Sequence, residues 1–432
     1  MALYVKASEI LEQAEGKLGC VKNLVYNSKY KNVKQLYALV CGVLKHSAVL
    51  EDIVSKSRLL KDDKKLKPHM AKLLVYDYVF GKGLKCGGHW KLLMRKNHGQ
   101  LNSIVARMKV SRHLSSNREL LSSFQEAADD TGRQIPRYCR VNVLRSSMHD
   151  VMDYFKRHGH TYLGKARSVK DLERLKNNEF LTDLHLPDVL AFAHGTDFHD
   201  HELYRCGNII LQDKASCLPA FLLAPTPGAH VMDCCAAPGN KTSQLAAIMK
   251  NKGKIFAVDR DEARLATAST QLLRAGVTCH VLLHTDFLQL DPHDPRFRDV
   301  RFLLLDPSCS GSGMLNRHVG QVDEEKVSPD RLAALSGFQY LALRHALSFP
   351  RAQRVVYSTC SLHLQENEEV VQDVLKHFEN SFRLVDPLPD WPHRGEGTFP
   401  GAALCLRASA HSDLTSGFFV AVFERVEQSP LK

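Results

Sequence analysis

Two cysteines in this 432-residue chain sit where a nucleophile would be useful. Cys309 lies in Asp306-Pro307-Ser308-Cys309-Ser310-Gly311-Ser312-Gly313, and Cys360 in Tyr357-Ser358-Thr359-Cys360-Ser361, each directly after an apolar run that reads as a buried strand. A thiolate is nucleophilic near neutral pH and a good leaving group afterwards. Two thiols at adjacent strand ends allow two jobs, covalent attack by one and assistance at release by the other. Spacing does not say which cysteine does which.

Upstream, Asp233-Cys234-Cys235-Ala236-Ala237-Pro238-Gly239-Asn240-Lys241 joins another strand to a helix. Its small residues and Gly239 let backbone approach a ligand at the carboxyl end of a first strand, where open α/β sheets bind cofactors. The G-x-G-x-x-G pattern is absent, which argues against a pyrophosphate-bearing cofactor. Asp259 ends the next strand about 20 residues on, where a carboxylate can accept from both ribose hydroxyls. Asp286, a third carboxylate after Asp233 and Asp259, ends the third strand and could meet an adenine amino group. Singly, each is an ordinary strand-end cap or turn residue; at three successive strand ends they point to a ligand.

Enzymes that methylate an exocyclic amine usually follow [Asp/Asn]-Pro-Pro with an aromatic residue at the fourth strand end, and this chain offers Cys309 there. A carbon target fits better. Carbon 5 of cytosine is a poor nucleophile until C6 has been attacked and the ring made enamine-like. Asp306 is then placed to hold or protonate N3 as charge develops.

The elements that position these residues follow from periodicity. From Gly207 onward, strands HVMDCC, KIFAVD, CHVLLHTD, VRFLLLD, RVVYSTC, FRLVD and GFFVAVFERV alternate with helices at Thr242–Met249, Asp261–Ala275, Pro329–Leu347 and Glu366–Phe378. That alternation is the signature of a doubly wound sheet. Seven strands suggest the methyltransferase version, in which a last antiparallel strand inserts into the sheet. Residues 137 to about 210 begin with RYCRVNVLRSS and the helical MHDVMDYFKRHG, a small α/β unit. Residues 1 to about 125 carry helical spacing (Leu36, Leu39, Val40, Val43, Leu44; then Leu73, Leu74, Tyr76, Tyr78), with a linker expected over Glu126–Pro136.

Composition is ordinary for a globular protein, 44% hydrophobic and 24% charged, which excludes wholesale disorder. The net charge of +11 is concentrated. Residues 1–120 hold 23 Lys and Arg against 9 Asp and Glu, and the remainder is slightly acidic. A basic N-terminal region separable from the chemistry suits a polyanion partner, although Lys-rich surfaces also serve solubility alone. None of the twelve cysteines forms a C-x-x-C pair, so no metal is expected. No apolar run reaches the roughly 18 residues of a membrane span and no signal peptide opens the chain, so a soluble intracellular protein with reduced thiols is expected. The basic KDDKKLK stretch from Lys61 could serve as a nuclear signal.

DCCAAPGNK, DPSCSGSG and YSTCS, in this order and spacing, resemble the Sun/Fmu family of RNA cytosine-5 methyltransferases from about Arg137 to Val426. RVN, ILQDKASCLPA and DLTSGFFVAVFER are similar to that family as well. NVKQLYALVCGVL and WPHRGEGTFPGA resemble its branch acting on large-subunit ribosomal RNA. The resemblance implies that Cys360 forms the covalent bond to C6 and Cys309 assists release. It implies an S-adenosylmethionine site of Cys235, Ala236, Ala237, Pro238, Gly239, Asn240, Lys241, Asp259, Arg264, Asp286 and Asp306. The second loop cysteine, Cys234, departs from the family pattern and reads as packing.

The expected fold class is α/β: a seven-stranded Rossmann-like methyltransferase domain (211–428), preceded by a small RNA-recognition-like unit (137–210) and an all-α basic domain for RNA docking (1–125). A monomer acting on RNA in the nucleus and nucleolus, without metal or membrane, is the corresponding expectation. Transfer RNA or messenger RNA would suit the same chemistry, and a non-catalytic ribosome-assembly scaffold would keep the fold without turnover. A target atom hidden in a stacked base requires the cytosine to be single-stranded or flipped out.

Overall fold

The computed structural model describes residues 2–16, 21–81, 83–84, 87–112, 114–123, 134–314, 328–397 and 399–426. They form two compact units, one made of residues before 124 and one of residues from 134 onward. Up to residue 133, the expected linker lies outside the described residues, as do the end of the catalytic range beyond 426, Cys20 and Cys86.

The first unit is helical. Leu36, Leu39, Val40 and Val43 all fall on the buried face of the helix Val33–Lys45, whose amino end is capped by Asn32 accepting from Gln35 N. Leu73 and Leu74 are fully buried in Pro68–Val75, and a π-helical turn, Tyr76–Phe80, continues it. These side chains form a hydrophobic core of their own.

The second unit contains two sheets. The smaller has β1 (Arg137–Val141), β2 (Thr161–Lys165), β3 (Glu179–Thr182), β4 (Val189–Phe192) and β5 (Ile209–Leu211), in the order β2-β3-β4-β1-β5. Alternation sends Cys139, Val141, Phe180, Leu190 and Phe192 to a cluster with Val151 and Phe155 of the helix Met148–Arg157. Tyr138, Leu181, Val189, Ala191 and Ile210 point the other way, into the core shared with the catalytic sheet.

The larger sheet has β6 (His230–Asp233), β7 (Lys254–Asp259), β8 (His280–His284), β9 (Val300–Leu305), β10 (Arg354–Thr359), β11 (Phe382–Leu384), β12 (Leu406–Ala408) and β13 (Phe418–Arg425). Its order is β11-β13-β10-β9-β6-β7-β8. β13 runs antiparallel between β10 and β11, the insertion expected from the strand count. One strand was not anticipated: β12 pairs with the first residues of β13 on the edge it shares with β11, and its three residues are too few for a legible alternation.

The central strands are buried on both faces, which is why they read as continuous apolar runs. Val231, Ile255, Leu304, Val356, Val420 and Val422 pack on the helices Lys214–Leu223, Asn240–Ile248 and Glu262–Ala275. Met232, Phe256, Leu303, Leu305, Val355, Tyr357 and Phe423 pack on Pro329–Leu347 and Glu368–Phe378. With both faces covered, the carboxyl ends of β6, β7, β9 and β10 remain as the place for polar chemistry.

Candidate active site

The loop after β6 is drawn tight against its neighbours. Cys234 N donates to Leu304 O at 2.9 Å, Ala236 N to Val258 O at 2.9 Å and Gly239 N to Ala236 O at 2.7 Å. Gly239 has φ 98° and caps the helix Asn240–Ile248, a backbone conformation that an L side chain would strain. Cys234 is buried in the apolar cluster against Pro329–Leu347, as the packing reading of this extra cysteine expects. Cys235 is half-buried, its thiol pushed up by burial and by the Asp233 carboxyl beside it.

Asp259, at the end of β7, is 5% exposed and accepts from Ala237 N (3.1 Å) and Asp261 N (3.0 Å). Arg264 donates from Nη2 to Ala237 O at 2.6 Å and lies 3.9 Å from the Asp259 carboxylate. Asp259 and Arg264 therefore brace the small-residue loop from one side, while each Asp259 oxygen keeps a second lone pair for a ligand hydroxyl. Asp286 lies beyond β8, where its side chain caps the turn Phe287–Gln289 by accepting from Leu288 N through Oδ1, a bond that occupies one of its two oxygens.

Beyond β9 the polar groups converge. Asp306 accepts from Lys241 Nζ at 2.6 Å through one oxygen and from Ser358 Oγ at 2.6 Å through the other. Lys241 also donates to Ser216 Oγ at 3.2 Å. Burial alone would push the Lys241 ammonium down, but Asp306, by charge and hydrogen bond together, holds it above the ordinary lysine value. Cys309 and Cys360, 51 residues apart, bring their sulfur atoms to 3.0 Å. The hydrogen bond with Cys309, helped to a lesser degree by the Lys241 ammonium, holds the Cys360 thiol below its ordinary value despite burial and the Asp306 carboxylate, whereas the Cys309 thiol is pushed far up by the same hydrogen bond and by burial.

Ser358, Ser216 and Arg140 belong to this arrangement and were not singled out as functional from the sequence. The signal for Ser358 was a polar residue inside an apolar central strand; it is fully buried. Arg140, of the RVN motif, is buried and donates to Gln212 Oε1 (2.9 Å) and Ser243 Oγ (2.8 Å), so the small sheet braces the helix that carries Lys241. Asn142 of the same motif donates to Gly207 O and Ala275 O, both at 2.8 Å.

The donor set fits S-adenosylmethionine: carboxylates at strand ends for hydroxyls and amines, a backbone-lined loop of small residues, and Lys241 committed to Asp306 rather than free for a phosphate. Among the described residues there is no cluster of His, Cys, Asp and Glu suited to a metal, and no helix long and apolar enough to cross a membrane.

Three family models match the chain: the N-terminal domain of NOL1/NOP2/Sun domain family member 5 over residues 34–121, the ferredoxin-like domain of that member over 135–212, and the 16S rRNA methyltransferase RsmB/F family over 220–424. A 28S rRNA (cytosine-C(5))-methyltransferase of Mus musculus is 52% identical over 100% of this chain and 92% of its own length. A 26S rRNA (cytosine-C(5))-methyltransferase of Caenorhabditis elegans is 37% identical over 99% of both chains. Among solved structures, a methyltransferase homologue from Pyrococcus horikoshii superposes with a TM-score of 0.54 at 25% identity, covering 86% of this chain and 99% of its own. A chain that shares these domains in this order, and its whole length with such relatives, belongs to the NOL1/NOP2/Sun family of RNA cytosine-C5 methyltransferases, on the branch of member 5.

Proposed function

We propose that this enzyme methylates carbon 5 of a cytosine in large-subunit ribosomal RNA, with Cys360 as nucleophile and Cys309 as the residue of release. The reading is supported above all by the two sulfur atoms 3.0 Å apart beside the Lys241–Asp306–Ser358 cluster. Relatives spanning the whole chain are named for 28S and 26S ribosomal RNA, and that substrate class is carried over here.

The Cys235–Lys241 loop with Asp259, Arg264, Asp286 and Asp306 would hold the cofactor. When bound, S-adenosylmethionine supplies the electrophilic methyl group taken up by the activated C5. Cys360, its thiol pulled down by the Cys309 hydrogen bond and to a lesser degree by Lys241, adds its sulfur electron pair to C6. Asp306 meets the N3 edge, where the displaced charge collects, with the Lys241 ammonium on one of its oxygens as the source of the proton that neutralises it. Cys309, which retains its proton, serves the last step by giving that proton to the Cys360 sulfur as it leaves C6 with the bonding pair, while solvent accepts the proton that C5 gives up and the C5–C6 double bond re-forms. Lys241 fixes Asp306 and lowers Cys360 at once, joining the cofactor loop to the nucleophile.

The helical unit is assigned to RNA docking on its surplus of Lys and Arg, since phosphate contacts hold register without reading sequence. A monomer working in the nucleolus, where ribosomal RNA is made, completes the proposal.

The test is a pair of substitutions with bisulfite sequencing of total RNA. Cys360→Ala is expected to abolish both methylation and covalent trapping. Cys309→Ala is expected to accumulate a covalent RNA adduct. The opposite pattern would exchange the two roles, and full activity of both variants would end the covalent mechanism.

A further inference from the structure

The loops that carry the two thiols meet on one buried side chain that no step above uses. Glu366 lies in the turn Leu364–Glu366, fully buried, at the acidic helix start that follows YSTCS. Its Oε1 accepts from Ser310 N at 2.8 Å and from Gln339 Nε2 at 2.9 Å. The same Gln339 amide donates to Ser308 O at 3.0 Å, so both neighbours of Cys309 are held. Its Oε2 accepts from Ser361 Oγ, the neighbour of Cys360. Asn367 adds a second strap, donating to Ser361 O at 2.9 Å. The Glu366 backbone is itself pinned by the Tyr357 hydroxyl.

We propose that Glu366 is a positioning residue that sets the separation of the two sulfur atoms, one carboxylate oxygen serving each thiol loop; this rests on the catalytic reading of Cys309 and Cys360 given above. The physical need is specific. Ser308–Gly313 is a small-residue loop whose backbone is permissive, and strands β9 and β10 fix where it starts but not where its sulfur ends up. A buried carboxylate accepting from several donors is stronger and more directional than neutral bonds would be. It satisfies Ser310 N, Gln339 and Ser361 together, so the two loops cannot drift apart independently. A drift of about 1 Å at a reacting centre can cost roughly a hundredfold in rate.

Two variants of the full-length protein separate this role from a general structural one. In Glu366→Gln the amide oxygen still serves Ser310 N and Gln339, but the nitrogen cannot accept from Ser361, whose oxygen already accepts from Ser310 Oγ and His363 N, so the Cys360 side is loosened. In Gln339→Met the Cys309 side is loosened instead. The first readout is independent of methylation: diamide takes two electrons and two protons from the thiol pair to leave a Cys309–Cys360 disulfide, followed by mass spectrometry. The second is single-turnover formation and decay of the covalent RNA adduct. Glu366→Gln is expected to slow disulfide formation and adduct formation by about tenfold or more, with S-adenosylmethionine affinity and melting temperature retained. Gln339→Met is expected to form the adduct at near the parent rate and release it several-fold more slowly. Parent-like disulfide and adduct kinetics in Glu366→Gln overturn the proposal, as do equal losses in every readout together with a lowered melting temperature. An active Cys360→Ala would instead overturn the catalytic reading, whatever Glu366 does to the disulfide rate.

Discussion

At the scale of single residues, charge in this site is governed by burial and by one ammonium group. Lys241 supports Asp306 and Cys360, and the proton shared between the sulfurs keeps one thiol ready to ionise and the other ready to donate. Asp233, at the end of β6, shows what burial does when such help is weaker. Desolvation pushes its carboxyl up to about 7, against which Thr242 donates one hydrogen bond. Below about pH 4 both folded and unfolded chains hold this proton, whereas between about 4 and about 7 only the folded chain does. Wild-type stability therefore falls across that window, by about 1.4 kcal/mol per unit of pKa difference, and not further above it. Asp233→Asn removes the effect while leaving Thr242 an acceptor. Its melting temperature should gain on the wild type progressively from pH 4 to 7 and run parallel above; a constant difference would show that Asp233 is ionised in the fold. The cysteines, the loop lysine and Asp306 were legible as reactive groups because each lies in the polar or small-residue segment that follows an apolar strand. Glu366 and Ser358 were not, because their importance lies in partners 50 or more residues away.

At the scale of elements, the small sheet is committed on both faces. One face covers its own helix, and the other, through Tyr138, Leu181, Val189, Ala191 and Ile210, enters the core of the catalytic sheet. A free face for stacking bases is therefore not what this sheet offers, despite its RNA-recognition-like layout. Its tie to the helix Lys214–Leu223 includes a fully buried ion pair, Lys214–Asp183 at 2.8 Å, with Lys214 also over the Trp391 ring. Breaking such a pair by removing one partner is costly because the other charge stays buried. Lys214→Met should lower unfolding stability by about 3 kcal/mol, and adding Asp183→Asn should recover much of it. Urea titrations of the two variants give the measurement; equal stability of Lys214→Met and wild type would rule out a structural role for the pair. The RVN and QDKAS motifs were visible in sequence as resemblances. That Arg140 and Gln212 brace the cofactor helix required the packed elements.

At the scale of the whole molecule, charge and chemistry are divided along the chain. The excess of 14 positive charges lies in residues 1–120, and the catalytic sequence is close to neutral. Removing residues 1–120 should weaken RNA binding and flatten its salt dependence by about 0.7 to 0.9 in logarithmic slope for each phosphate that the helical unit neutralises, leaving S-adenosylmethionine affinity unchanged. Filter binding at several salt concentrations measures this, and an unchanged slope would remove the docking role from the helical unit.

Local physics was enough to read the alternation of apolar strands and amphipathic helices and the small-residue loop with Gly239, since each depends on spacing within a few turns of chain. The meeting of Cys309 with Cys360, the grip of Lys241 and Ser358 on Asp306, and the convergence of both thiol loops on Glu366 were decided by the fold alone. Hydrogen bonds and ion pairs act over about 3 Å in space, and no periodicity along the sequence records which distant residues the parallel sheet will set side by side.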